Sequence, residues 1–174
     1  GCAGGRGASR DRAPEIRDEW LARVPPDRMM GVEQARADLR QAEDAVTRAQ
    51  VEVRDAEQQR EVARAELGAA DSQVEAAEAN LEAAKATGQQ SSIAMAQQQL
   101  DRAKMQREVA QGRVDYVGAR IDTAKKRHEL AEARRDTARI RVEQAEYDAL
   151  RQQGDVRVQD IDPTQFESAV AEAR

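Results

Sequence analysis

Residues 32–86 read VEQARADLRQAEDAVTRAQVEVRDAEQQREVARAELGAADSQVEAAEANLEAAKA, and their spacing decides the fold. Stepping by seven from Val32 gives Val32, Leu39, Val46, Val53, Arg60, Leu67, Val74 and Leu81. Three residues after each stands an alanine: Ala35, Ala42, Ala49, Ala56, Ala63, Ala70, Ala77 and Ala84. Labelling these positions a and d of a heptad, eight consecutive heptads carry alanine at d. A strict period of seven keeps one seam of a helix turned towards a partner helix.

The partner lies further along the chain. Position a continues as Ile93, Leu100, Arg107, Val114, Ile121, His128, Arg135 and Val142, and d as Ala96, Ala103, Ala110, Val117, Ala124, Ala131, Ala138 and Ala145. Between the two runs, Thr87-Gly88-Gln89-Gln90-Ser91-Ser92 is the one turn-like stretch. The sequence therefore predicts helices over 28–86 and 92–152 joined by a turn at 87–91. At 1.5 Å per residue each helix is roughly 85–90 Å long. The expected fold class is all-α: a long antiparallel two-helix coiled-coil hairpin with short N- and C-terminal helices at its open end.

Antiparallel pairing explains the choice of side chains. It sets a of one helix level with d of the other, so each layer holds one large residue and one small one. Folding about Gly88 places Leu81 by Ala96, Leu67 by Ala110, Val53 by Ala124 and Leu39 by Ala138; in return Ile93, Leu100 and Ile121 meet Ala84, Ala77 and Ala56. The flanking g positions agree. Arg113, Arg120, Arg127, Arg134 and Arg141 fall opposite Glu66, Gln59, Glu52, Ala45 and Asp38, with no like charges facing. A row of acids at b (Asp101, Glu108, Asp115, Asp122, Glu129, Asp136 and Glu143) reads as a solvated face with i,i+3 and i,i+4 partners.

Outside the hairpin the signals are shorter. Residues 1–12 are rich in Gly, Ala and Arg and read as a flexible tether. Residues 13–27 hold a short amphipathic helix with Ile16, Trp20 and Val24 on one face, ended by Pro25-Pro26, with Asp27 placed to cap the next helix. Residues 153–174 contain Gly154 as a helix terminator, then Asp162-Pro163-Thr164-Gln165 opening a short helix that carries Phe166 and Val170. Ile16, Trp20, Met29, Met30, Tyr147, Leu150, Ile161 and Phe166 are expected to gather as a cap on the open end.

Composition excludes several functions. The chain is 35% charged with a net charge of −5 and only one Trp, two Tyr and one Phe. Both signs are interspersed, so the basic stripe with stacking aromatics of a nucleic-acid binder is absent. No apolar run of 18 residues exists to span a membrane. Cys2 is the only cysteine, which leaves no internal disulfide framework. Gly4-Gly5-Arg6-Gly7 follows no strand and is too irregular for a phosphate loop. His128, the only histidine, stands in the seam opposite Ala49 without a metal-ligand cluster. Arg60, Arg107 and Arg135 at a lay their stems along the seam and reach water with the head. No enzyme activity, cofactor or small-molecule substrate is expected.

The seam leaves apolar residues over. Met105, Val109, Tyr116, Leu130, Ile140 and Tyr147 occupy c and f positions of the second helix. Val51, Val62, Ala65, Ala69, Ala76, Ala79, Ala83 and Ala86 do so on the first. Exposed stripes of this kind mark interaction surfaces, and the partner expected is a second copy or another helical protein. Gly88 and Gln89 at the turn are candidates for contact by the tip.

Two resemblances add expectations. Gly1-Cys2 followed by a glycine-rich stretch resembles a bacterial lipoprotein whose signal peptide has been trimmed, with Gly1 the last signal residue and Cys2 the acylated one. That implies membrane attachment through a lipid on Cys2, stable when several acyl chains are buried. By analogy with Gram-negative sorting, Ala3 after the cysteine implies the periplasmic face of the outer membrane. Residues 32–150, with repeated Ala-x-x-x-Leu/Val and Ala-Glu-Ala phrasing, resemble the α-hairpins of periplasmic adaptor (membrane fusion) proteins and coiled-coil lipoproteins of Gram-negative envelopes. Adaptors flank the hairpin with lipoyl and β-barrel domains, which the residues on either side here do not supply. The functions that follow are a lipid-anchored envelope spacer or scaffold, or an adaptor-like hairpin docking onto a channel or another coiled coil.

Overall fold

A computed structural model describes residues 16–173. Among these there is no strand: the protein is an all-α helical hairpin with short flanking helices. The elements are α1 (Asp18–Leu21), α2 (Pro26–Thr87), α3 (Gln90–Gln153), a 3-10 turn (Val156–Val158) and α4 (Thr164–Glu172). The tether assigned to residues 1–12 and the anchor assigned to Cys2 lie outside the described residues.

The helix ends follow from local chemistry. α2 starts at Pro26 rather than after Asp27. Proline has no N–H to leave unpaired and its fixed φ suits the first helical position, while Asp27 complements the positive end of the helix dipole. Only Gly88 and Gln89 separate α2 from α3, fewer than the 87–91 span read from the sequence. Gly88 adopts φ 70°, a left-handed value that costs glycine nothing, and its N–H donates to the Lys85 carbonyl at 3.1 Å. The Thr87 hydroxyl donates to the Ala84 carbonyl at 2.7 Å, so two of the last carbonyls of α2 are satisfied within the turn itself.

Gly154 ends α3 at φ 78°. Its N–H donates to the Arg151 carbonyl and the Asp155 N–H to the Leu150 carbonyl, at 3.0 and 3.1 Å. This pair of bonds is a Schellman motif. At α4, Asp162 Oδ1 accepts from both the N–H and the hydroxyl of Thr164, at 2.9 and 2.8 Å. Those bonds stabilise the ionised carboxylate and lower its pKa.

The described residues form two compact units, residues 49–127 and the stretches on either side of them, up to 48 and from 128. In the 49–127 unit the alanine-based seam is filled as the heptads require. Ala77, Leu81, Ala96, Leu100 and Ala103 form one buried cluster, with Val74, Ala84 and Ile93 against it. Ala56, Val117 and Ile121 form another. Ala63 is 0% exposed, so no room remains there for a larger side chain. Across both helices every a and d position is buried or half-buried except Arg107. Arg107 is exposed because its Nε turns outward to the Asp71 carboxylate.

The other unit holds the aromatic residues of the termini. Ile16, Leu21, Val24, Val32, Tyr147, Leu150, Val158 and Phe166 are buried together, with Trp20, Met29, Ile140 and Ile161 partly buried around them. Phe166 and Leu150 are the most enclosed, at 0% and 1% exposure. Met30, expected in this cluster, is instead exposed. One residue after Met29 on a helix, it is rotated ~100° away from the core. The helix expected over 13–27 is a single turn, Asp18–Leu21.

Candidate interaction surface

Within the 49–127 unit, polar pairs define two opposite edges of the hairpin. On the g edge, Arg113 Nη1 lies 2.7 Å from Glu66 Oε2, Arg120 Nη1 donates to Gln59 Oε1 at 2.7 Å, and Arg127 Nη1 lies 3.6 Å from Glu52 Oε2. Each step of seven up α3 is a step of seven down α2, so the helices run antiparallel in one register. On the e edge, Lys104 pairs with Glu78 at 3.8 Å and Lys125 with Glu57 at 3.6 Å. All of these side chains are about half exposed, so each pair contributes at most ~1 kcal/mol.

Helical geometry attaches the remaining rows to these edges. At ~100° per residue, c lies ~40° from g and b ~60° from e. The e/b side is acidic on balance: Glu61, Glu75 and Glu82 on α2 and Asp101, Glu108, Asp115 and Asp122 on α3 outnumber Arg54, Arg64, Lys104 and Lys125 on the same side. The g/c side is apolar and amide with basic residues on α3 and acidic residues on α2. Val62, Ala69 and Ala76 are exposed on α2, and Met95, Val109 and Tyr116 on α3. Val109 is 74% exposed and Tyr116 64%. Beside Tyr116 runs an open groove lined by Glu52, Asp55, Gln59, Arg120 and Arg127.

In the terminal unit the corresponding c and f positions of α3 from Ala133 to Tyr147 are half-buried or buried, while Leu130 remains exposed. Tyr147 is 4% exposed, its ring 5.5 Å from that of Phe166 on α4 and its hydroxyl donating to the Ile161 carbonyl at 3.4 Å. Ile140 is half-buried against the same cluster. Ala173, just after α4, shares a groove with Gln41 and Ala42 of α2 and with Leu130, Ala133 and Thr137 of α3.

The residues read as interaction candidates therefore separate. Met105, Val109, Tyr116 and Leu130 are exposed, as are Gly88 and Gln89 at the turn. Tyr147 is not available to a partner, and Ile140 only in part, because α4 occupies their face. His128 lies with Nδ1 3.5 Å from Glu132 Oε2, one turn along its own helix. Arg60 has its Nε buried without a hydrogen bond, the nearest carboxylate being Glu61 at 3.7 Å.

One network escaped the reading of the heptads. Arg36 Nη2 lies 2.7 Å from Glu146 Oε1 and 2.8 Å from Asp18 Oδ1, tying α1, α2 and α3 together. The Glu146 carboxylate is buried, and desolvation raises its pKa although Arg36 opposes the shift. The Arg36 pKa is raised in turn by its hydrogen bond to Glu146. Arg36 and Glu146 are both e residues in the same register as Lys104 and Glu78, so following the e row as well as the g row would have found them. Nearby, Arg157 stacks 5.2 Å from the centre of the Trp20 ring and holds Asp155, whose pKa falls to about 2.

Among the described residues no group of three His, Cys, Asp or Glu is placed to hold a metal ion. None of their helices is long and apolar enough to cross a membrane. The chain matches no family model, and neither curated proteins nor solved structures show a match to it.

Proposed function

We propose that this protein is a non-catalytic scaffold or spacer of the bacterial cell envelope, held at the periplasmic face of the outer membrane by a lipid on Cys2. The observation that carries the scaffold reading is the division of labour among the apolar residues. The a and d rows are spent on the seam, while Met105, Val109 and Tyr116 remain exposed on a regular helix. Side chains of this size left outside a well-packed seam are what a helical partner engages. The anchoring reading rests on Gly1-Cys2 and the glycine-rich stretch after it. Metabolic labelling with a fatty-acid analogue tests it: label on the native chain and none on Cys2→Ser is the expected result, and an unlabelled native chain removes the anchor.

A second reading is favoured by the exposed turn. Gly88 and Gln89 are exposed at the turn, so an adaptor-like hairpin docking tip-first onto a channel or another coiled coil has a defined contact point. A pull-down from envelope extracts that is lost when residues 85–92 are replaced supports tip docking. One that survives the replacement but is lost with Val109→Glu supports the scaffold face.

A further inference from the structure

We infer that the g/c side of the 49–127 unit is the seat of a second copy of this chain, packed face to face with the tips at the same end. The inference deepens the scaffold reading by naming the partner and does not depend on the anchor.

Charge chooses the side. With acids outnumbering bases on the e/b side of both helices, two such sides brought together would set mostly carboxylate against carboxylate. The g/c side carries the opposite signs on its two helices: Arg113 and Arg120 on α3, Glu52, Asp55 and Glu66 on α2. A two-fold axis parallel to the helices lays α3 of one copy over α2 of the other. Cations then meet anions at both places, as an isologous interface requires. A two-fold with tips opposed would instead stack α3 on α3 and α2 on α2, arginine facing arginine.

Side-chain size supports the same arrangement. The g-edge pairs show which residues of α2 and α3 are level within one hairpin. With tips together, the same levels hold between copies. Tyr116 comes level with Val62 of the second copy, Val109 with its Ala69 and Met95 with its Ala83. Val109 and Met95 thus meet alanines, large against small as in the hairpin's own seam, and Tyr116 meets another apolar residue. This packing lets the backbones approach, so the exposed Val109 and Tyr116 become buried anchors. In the terminal unit, α4 shows that the outward side of α3 accepts a packed helix.

Sedimentation equilibrium of the full chain over a concentration series tests the inference. The expected result is a monomer–dimer equilibrium whose dissociation constant rises at least about tenfold in Val109→Glu and in Tyr116→Glu. Gln111→Glu, on the e edge, leaves it unchanged. Helical circular dichroism checks that these exposed substitutions keep the fold. In a Cys2→Ser background, a chain with Val109→Cys mixed with one carrying Ala69→Cys forms the crossed disulfide. A wild-type chain that stays monomeric, or a dimer indifferent to Val109→Glu and Tyr116→Glu, overturns the inference. A crossed disulfide that fails while Val109→Cys crosslinks efficiently to itself overturns the orientation.

Discussion

Arg113 on α3 donates to the Glu66 carboxylate on α2 at 2.7 Å, across 47 positions of sequence. The bond reports the register of the hairpin, because Glu66 is the acid that a turn at Gly88 brings level with Arg113. Both side chains are exposed enough that the pair is worth at most ~1 kcal/mol. Arg113→Glu is expected to lower stability by about 0.5–1 kcal/mol, and adding Glu66→Arg to restore most of it. Urea unfolding of the two single variants and the double variant measures the coupling. A double variant no better than the worse single one would show that the pair does not form in solution.

Alanine at d is a matter of volume. Ala63 is wholly enclosed and Ala65, two residues on, faces water. Ala63→Leu is expected to cost about 1–3 kcal/mol by forcing the helices apart. Ala65→Leu should stay within about 0.5 kcal/mol of wild type. Thermal unfolding of both variants decides the matter; equal tolerance at the two sites would contradict the close seam.

Phe166 holds α4 to the rest of the terminal cluster. Phe166→Ala is expected to cost about 3–5 kcal/mol, the range for removing a buried aromatic ring. Hydrogen exchange should quicken along residues 140–150 while amides near the turn keep their protection. Uniform loss across the chain would mean that the two units do not unfold separately.

Two carboxyl groups give stability opposite pH dependences. Burial raises the Glu146 pKa above 4.5, so its contribution is fully present below that value and is lost as pH rises through the raised one. Asp155, held by Arg157 at about 2 against an ordinary 3.8, behaves the other way. Its contribution is present above 3.8 and is lost as pH falls towards 2. Against Glu146→Gln, the wild type should therefore lose relative stability as pH rises above 4.5. Against Asp155→Asn it should lose relative stability between pH 5 and 2. Chemical denaturation at stepped pH reads both, and slopes of the reverse sign would refute the assignment.

Gly88 and Gly154 adopt positive φ with open space about their Cα atoms. Replacing either with alanine is expected to cost about 1 kcal/mol through backbone conformation alone. A cost near zero at Gly88, measured by thermal unfolding, would mean that the turn relaxes to another geometry.

The hairpin was legible in the sequence because its signals are periodic and redundant. Val32 to Leu81, the alanines at d and the arginines at g all point to one register, and the seam and the Arg113, Arg120 and Arg127 contacts realise it. Gathering Ile16, Trp20, Tyr147 and Phe166 at the termini was legible too, since few other residues there are large and apolar. What escaped depends on elements placed by tertiary packing. Tyr147 was read both as part of the outer stripe and as part of the terminal cap, and α4, folding back over it, decides for the cap. Met30 neighbours a core residue yet faces outward. The Arg36–Glu146 pair needed the e row to be followed as closely as the g row.

The two-residue link at Gly88 and Gln89 also orders events in time. Ile93 and Ala84 meet after closing a very short loop, whereas the Arg28 side chain reaches the Gln152 carbonyl across 124 positions. Loop-closure entropy grows only with the logarithm of separation, and a hairpin that has begun to zip avoids even that cost, since every new layer adds one turn to an existing nucleus. Growth of this kind starts where the chain reverses and reaches the aromatic cluster last. A chain interrupted before Phe166 is made would thus already hold its innermost layers together, with the Tyr147 face still bare.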